Sequence, residues 1–295
     1  MTTLAKRQQA AGVAAAASAY LIWGLFPLYF HALQGVPAAE VLAHRVAWST
    51  LFMAALVTAL RRWPSVRAQL RRPGAMKTLT ASALLISTNW LVYIWAVQSG
   101  RVLEASLGYF ITPLVSVLLG VVFLREPLSR RQVVAVALAM AGVLWLVVWV
   151  GKVPWVARPL AGPFGLYGLL RKQLAVDAIA GLLAEVAVLS PLALGWLAWL
   201  AWRGESHLGS SPGTTALLTL TGVVTAVPLL LFAMGVRRLA LATVGLLAYV
   251  NPTTQFSLAA WRFGETFTVA HAIAFGCIWA SLALYSSEAL LRRAA

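Results

Sequence analysis

Leu103-Glu104-Ala105-Ser106-Leu107-Gly108-Tyr109-Phe110-Ile111-Thr112-Pro113-Leu114 runs on without a break to Leu124-Arg125-Glu126, and 20 uncharged residues separate Glu104 from Arg125. A helix of about 20 apolar residues spans a hydrocarbon layer of about 30 Å, so the run reads as one membrane crossing. Pro113 in its middle removes one backbone donor and frees a carbonyl one turn back. A shift of 139 residues lays a second copy over the first. Phe110 then falls on Tyr249, Thr112 on Asn251, Pro113 on Pro252 and Glu126 on Glu265. A shift of 144 places Trp23-Gly24 on Tyr167-Gly168, and one of 140 places Arg45 on Glu185. The shared order of these matches divides the chain into two halves, 1–150 and 151–295.

The whole chain repeats the character of that run. Of its 295 residues 61% are hydrophobic and only 11% charged, against about 25% charged in soluble domains, and the mean hydropathy is +0.84. These values exclude a water-soluble enzyme. Apolar stretches fall at 12–33, 39–60, 77–99, 103–124, 131–150, 154–170, 178–201, 213–235, 239–261 and 268–290. They predict an all-α membrane protein of ten transmembrane helices. Five crossings per half is an odd number, so the second half enters the membrane inverted. Inverted five-helix repeats are a transporter architecture, with the substrate path at the repeat interface.

The charge pattern tests that topology. With the N-terminus inside, 17 Lys and Arg fall in inner loops and 4 (Arg101, Lys152, Arg203, Arg262) in outer ones, while Arg45 and Arg158 lie within helices. This bias predicts that both termini are cytoplasmic. It also accounts for the net charge of +15 without a nucleic-acid partner. The single cysteine, Cys277, forms no intrachain disulfide. The four histidines have no metal-ligand spacing, and no Gly-rich phosphate loop marks an ATP motor. No cofactor or metal is expected. The partners expected are a small-molecule substrate and the lipid bilayer.

Several motifs together resemble one family. They are Tyr20-Leu21-Ile22-Trp23-Gly24, Glu40 with His44-Arg45, Asn89-Trp90, Trp95-Ala96-Val97, the Leu103–Leu114 run followed by Arg125-Glu126, Tyr167-Gly168-Leu169-Leu170-Arg171-Lys172, Thr225-Ala226-Val227-Pro228-Leu229 and Asn251-Pro252-Thr253. The sequence is similar to RarD-type proteins of the EamA branch of the drug/metabolite transporter superfamily over nearly its whole length. The resemblance implies the drug/metabolite transporter fold, a bacterial inner-membrane location and export of small molecules, with a family name tied to chloramphenicol sensitivity. The chain departs from the pattern at Arg158-Pro159, which interrupts the sixth apolar run.

Polar and charged residues inside apolar helices are the candidate site. A charge at the centre of a membrane helix costs about 2.5–3.5 kcal/mol on insertion scales. Arg45 and Glu104 lie toward the outer side of their helices and are expected to pair as an outer latch. Glu185, at the position related to Arg45, is expected to pair on the inner side with one of the basic ends Arg171-Lys172 or Arg237-Arg238. The competing reading is snorkelling or static packing. Trp23, Asn89, Tyr93, Tyr109, Tyr167, Asn251 and Gln255 are expected to line a central cavity, with helix breaks at Pro113 and Pro252. For the amides, the competing reading is simple helix–helix bonding.

These features favour a secondary transporter of small amphipathic solutes working by alternating access, not an enzyme. A membrane-embedded enzyme acting on a lipid-linked substrate would need clustered acids, His or Arg at a membrane face, and the sequence has no such cluster. A receptor would need a sensor domain. On a Cys277→Ala background, a cysteine at Arg67 is expected to react with impermeant thiol reagents only from the cytoplasmic side. Labelling from outside would overturn the orientation.

Overall fold

The computed structural model describes residues 3–99, 101–151, 155–262 and 268–294, with some side chains inside those segments, including Glu104, outside the described set. Glu265 also lies outside it. The helices run in chain order α1 (Thr3–Gly24), α2 (Phe26–His31), α3 (Ala38–Ala59), α4 (Trp63–Leu70), α5 (Ala75–Gln98), α6 (Val102–Leu124), α7 (Arg130–Val150), α8 (Ala157–Gln173), α9 (Ala178–Trp202), α10 (Pro212–Arg238), α11 (Leu241–Leu247), α12 (Val250–Arg262) and α13 (Val269–Ala294). Among the described residues six spans are long and apolar enough to cross a membrane: Arg7–His31, Ala38–Ala59, Ala75–Gln98, Arg130–Trp149, Ala178–Trp202 and Pro212–Arg238. Shorter apolar stretches lie at Gly108–Leu124 and Ala272–Ser281.

Local chemistry sets several helix starts. Ser129 accepts from the Gln132 N–H while the Gln132 side chain accepts from the Ser129 N–H, closing a capping box before α7. Asp177 caps α9 and Ser211 caps α10, each accepting from the N–H three residues on. Arg158-Pro159 does not interrupt a helix as expected; it opens one. Pro159 sits in the first turn of α8, where the donor it lacks has no intrahelical partner to lose.

The two prolines expected to break helices behave differently. Pro252 stands just after a real interruption, since α11 ends at Leu247 and α12 starts at Val250. Pro113 is a correction: it lies inside an unbroken α6. One missing donor in a long helix is tolerated where neighbours pack closely, and α11 does so here, with Gly245 seated against the Pro113 carbonyl.

Helices of the two halves interleave. α1 packs on α10 and α8 on α5; α6 packs on α8 and α12 on α1; α3 packs on α10 and α9 on α5. α3 also packs on α9, and α7 on α13. The α3–α10 approach depends on Gly222, where a Cβ would come within 2.6 Å of the Trp48 backbone. The outer surface is apolar: Trp202 is 83% exposed, Leu192 79% and Val148 74%. Polar residues such as Glu40, Arg45, Asn89, Glu185, Thr225 and Asn251 are buried. Such an inversion suits a hydrocarbon solvent, in which apolar surface costs nothing and unpaired polar groups cost several kcal/mol.

One clamp fixes the start of α9 outside the apolar spans. The Asp177 carboxylate accepts from Ala180 N–H at 2.9 Å, from Gln69 Nε2 at 2.6 Å and from Arg62 Nη2 at 2.7 Å. Gln69 Oε1 in turn accepts from the Asp177 N–H at 2.7 Å. Partial burial alone would raise the Asp177 pKa, but these hydrogen bonds and the Arg62 charge outweigh it and hold the carboxyl below its ordinary range. The ionised form is therefore the one that stabilises the fold. Its contribution is complete above the ordinary carboxylate pKa and is lost as pH falls through the lowered value. Asp177→Ala is expected to cost about 1 kcal/mol at neutral pH. Thermal unfolding in detergent should show the gap to the parent protein narrowing below about pH 4.

Candidate functional site

A cavity of about 30 Å³ lies at the centre of the bundle between the two halves, room for about two water molecules. Tyr20 and Trp23 reach it from α1, Phe26 from α2, and Arg45 from α3. Asn89, Trp90 and Tyr93 come from α5, Tyr109 and Thr112 from α6, Phe164 from α8, and Asn251 and Gln255 from α12, with Ala248 at the break before it. Spacings of three and four residues put these side chains on one helix face each. The rings meet edge to face, Tyr93 with Tyr109 at 5.4 Å and Trp23 with Phe164 at 5.4 Å between centroids.

Six of the seven residues expected at the cavity line it: Trp23, Asn89, Tyr93, Tyr109, Asn251 and Gln255. Tyr167 is the correction. It is not among the cavity-lining side chains; it stacks on Phe232 at 5.9 Å, and its hydroxyl donates to Glu185 Oε2 at 3.4 Å. Its helix presents Phe164 to the cavity, one turn earlier. Phe26 and Phe164 were missed because a phenylalanine in an apolar run carries no sequence signal of facing a cavity. The amides are bonded as well as placed. Asn89 Nδ2 donates to the Leu160 carbonyl at 2.8 Å, and Gln255 Nε2 to Asn251 Oδ1 at 2.8 Å. Tyr93 Oη and Gln255 Oε1 are buried without a hydrogen-bond partner among the described residues.

Arg45 lies at the cavity, not at the rim of its helix, and is 3% exposed. Its Nε donates to Thr225 Oγ1 at 3.0 Å, and its guanidinium carbon stands 4.6 Å from the Trp90 ring centroid, 5.4 Å from Phe30 and 5.7 Å from Phe26. Among the described residues no carboxylate is paired with it. The Glu104 side chain expected there lies outside the described set.

Glu185 has partners on every side. Ser82 Oγ donates to Oε1 at 2.5 Å, and Arg171 Nη1 stands 3.6 Å from the same oxygen, with both side chains 2% exposed. Gly181 makes room for that arginine, since a Cβ there would fall 1.7 Å from Arg171 Nη1. Of the four basic residues offered as partners, Arg171 alone reaches Glu185. Lys172 Nζ contacts Glu126 Oε1 at 2.5 Å and the Leu239 carbonyl at 2.7 Å. Arg237 donates to the Val176 carbonyl and Arg238 to the Met234 carbonyl. At another point the structure joins residues the sequence keeps apart: fully buried Glu40 holds His207 Nδ1 at 2.7 Å and the His207 N–H at 2.7 Å. Among the described residues no group of three or more His, Cys, Asp or Glu is placed to hold a metal.

The family model described as the EamA-like transporter family matches residues 10–148. An uncharacterized transporter of Bacillus subtilis, YojE, is 45% identical over 93% of this chain and 93% of its own length. The RarD protein of Salmonella typhi is 43% identical over 96% of this chain and 97% of its own length. This chain belongs to the EamA-like transporter family. A solved crystal structure superposes with a TM-score of 0.70, covering 92% of this chain and 96% of that one at 21% identity, a likeness of fold alone. As an EamA-like protein the chain is a multi-pass membrane transporter of the drug/metabolite type, and RarD-type relatives share nearly its full length.

In this EamA-like chain the Arg171–Glu185 pair is buried, so removing one partner strands the other. Arg171→Met is expected to cost about 3–5 kcal/mol, and Gly181→Ala to act in the same direction by expelling the guanidinium. Arg171→Met combined with Glu185→Leu should recover most of the loss in thermal unfolding. A double variant as unstable as the two singles combined would show that the two charges do not interact.

Proposed function

We propose that this protein is a secondary transporter of ten crossings, built from two inverted five-helix halves, 1–150 and 151–295. It lies in the bacterial inner membrane with both termini cytoplasmic. It exports small amphipathic metabolites or drugs of the chloramphenicol type by alternating access. The observation that carries the reading is the small central cavity of about 30 Å³, walled from both halves by aromatic rings and hydrogen-bonding groups, with Arg45 the one charged side chain lining it among the described residues. A transporter caught between openings has such a space, and solute enters only when the halves part. The exchange of helix contacts between the halves supports the repeat, since each α1–α10 or α3–α10 contact has its counterpart in α8–α5 or α9–α5. The basic-residue bias supports the orientation.

The walls favour solutes with ring faces and a few polar groups over multiply charged ones. The Arg171–Glu185 pair closes the inner side and separates when that side opens. A membrane-embedded enzyme is less well supported, because the relatives reported above are named as transporters or RarD proteins. Asn251 joins Gln255 on the cavity wall, so Asn251→Leu is expected to abolish flux of amphipathic solutes, chloramphenicol among them, from proteoliposomes, while leaving the protein level intact. Unchanged flux would remove the cavity from the transport path.

A further inference from the structure

The two halves place opposite charges at related positions and treat them differently. Arg45 on α3 and Glu185 on α9 correspond through the 140-residue shift. Each bonds a hydroxyl on a helix of the other half: Arg45 bonds Thr225 on α10, and Glu185 bonds Ser82 on α5. The difference lies in the counter-charge. Glu185 has Arg171. The 144-residue shift that aligns Trp23 with Tyr167 puts Pro27 where Arg171 stands, and proline carries no charge.

Arg45 is thus a buried cation with one neutral hydrogen bond, ring faces around it and no counter-ion among the described residues. Its Nε is used by Thr225, and its Nη groups donate to no acceptor among the described residues. The side chain lines the cavity. Tyr93 Oη, buried and unpartnered, lines the same space.

We propose that the cavity binds a solute carrying one carboxylate on an aromatic or apolar body, with Arg45 as the anchor of the carboxylate. This rests on the transporter reading above and names its substrate class. The planar guanidinium fork matches the two oxygens of a carboxylate and keeps its charge at any physiological pH. Arg45 is the sole charged side chain at the cavity among the described residues, so a dianion such as a phosphate monoester would leave a negative charge uncompensated away from water. Trp23, Trp90, Tyr109 and Phe164 supply the faces for the apolar body. At about 30 Å³ the cavity is too small for that body, so binding accompanies separation of the walls.

The test compares 3-phenylpropionate, 3-phenylpropionamide and 3-phenylpropylamine, three solutes of one shape and different charge, on the full-length protein purified in detergent. Binding is read by tryptophan fluorescence and thermal shift. The carboxylate is expected to bind about tenfold more tightly than the amide, the energy of one charge-assisted hydrogen bond, and the amine no better than the amide. Arg45→Gln should erase the preference, so that acid and amide bind alike, and Arg45→Lys should keep part of it. Equal binding of acid and amide, or a preference that survives Arg45→Gln, overturns the proposal. If Arg45→Gln does not fold, the ranking on the parent protein and on Arg45→Lys decides the matter. Absence of the acid preference in the parent protein, with amide binding still sensitive to Asn251→Leu, sinks the anion alone. Binding of all three unchanged by both Asn251→Leu and Arg45→Gln sinks the cavity reading as well.

Discussion

Hydrocarbon offers no hydrogen-bond partner, and the packing of this protein follows from that. A buried polar side chain can find a partner only inside the bundle, and many find it across the two halves. Ser49 donates to the Gly222 carbonyl, Thr50 meets Ser190, Ser82 meets Glu185, Asn89 reaches the Leu160 carbonyl and Ser281 the Ala135 carbonyl. Every one of these joins the first 150 residues to the remainder. The interior carries a polar seam through a largely apolar core, inside an apolar coat. Each neutral bond is worth only about 0.5–1.5 kcal/mol net, so the seam aligns the halves without welding them.

Charge is distributed unevenly along the seam. Glu185 is met by a cation and two hydroxyls, so its burial is compensated. Arg45 has three rings and one hydroxyl. Each cation–π contact contributes about 0.5–2 kcal/mol, while taking a charge out of water costs several kcal/mol even after relaxation. The rings therefore soften the cost and do not remove it. A charge held at such cost beside a cavity separates a place where a ligand adds stability from one where the protein already supplies everything.

The backbone interruptions follow the same logic. The α1–α2 turn at Leu25 stands beside Phe26, and the α11–α12 break spans Ala248, and both Phe26 and Ala248 line the cavity. Irregular backbone survives at membrane depth only where protein or a cavity covers it. Pro113, far from a break of its own, sits where α11 closes over the helix through Gly245.

Much of this was legible in the chain itself. The apolar runs place the helices, because length and hydropathy alone decide whether a segment is stable in lipid. Asn89, Asn251 and Gln255 announced themselves as interior residues, because an amide facing lipid has no partner. Tyr167 could not be assigned from sequence, because the side of a helix that meets a cavity is set by its rotation against its neighbours. Pairing was equally hidden: Arg171, Lys172, Arg237 and Arg238 are all cationic candidates for Glu185, and Gly181 makes space for Arg171. That Arg45 sits at the cavity with no carboxylate beside it among the described residues is a fact of the same kind. The sequence by itself determined which segments are apolar enough to favour lipid and which groups cannot face it, since both depend on transfer free energies of the residues alone. Which of those groups meet was decided by the tertiary structure, since hydrogen bonds and ion pairs act over a few ångströms and most of the contacts across the halves join residues on different helices far apart in the chain.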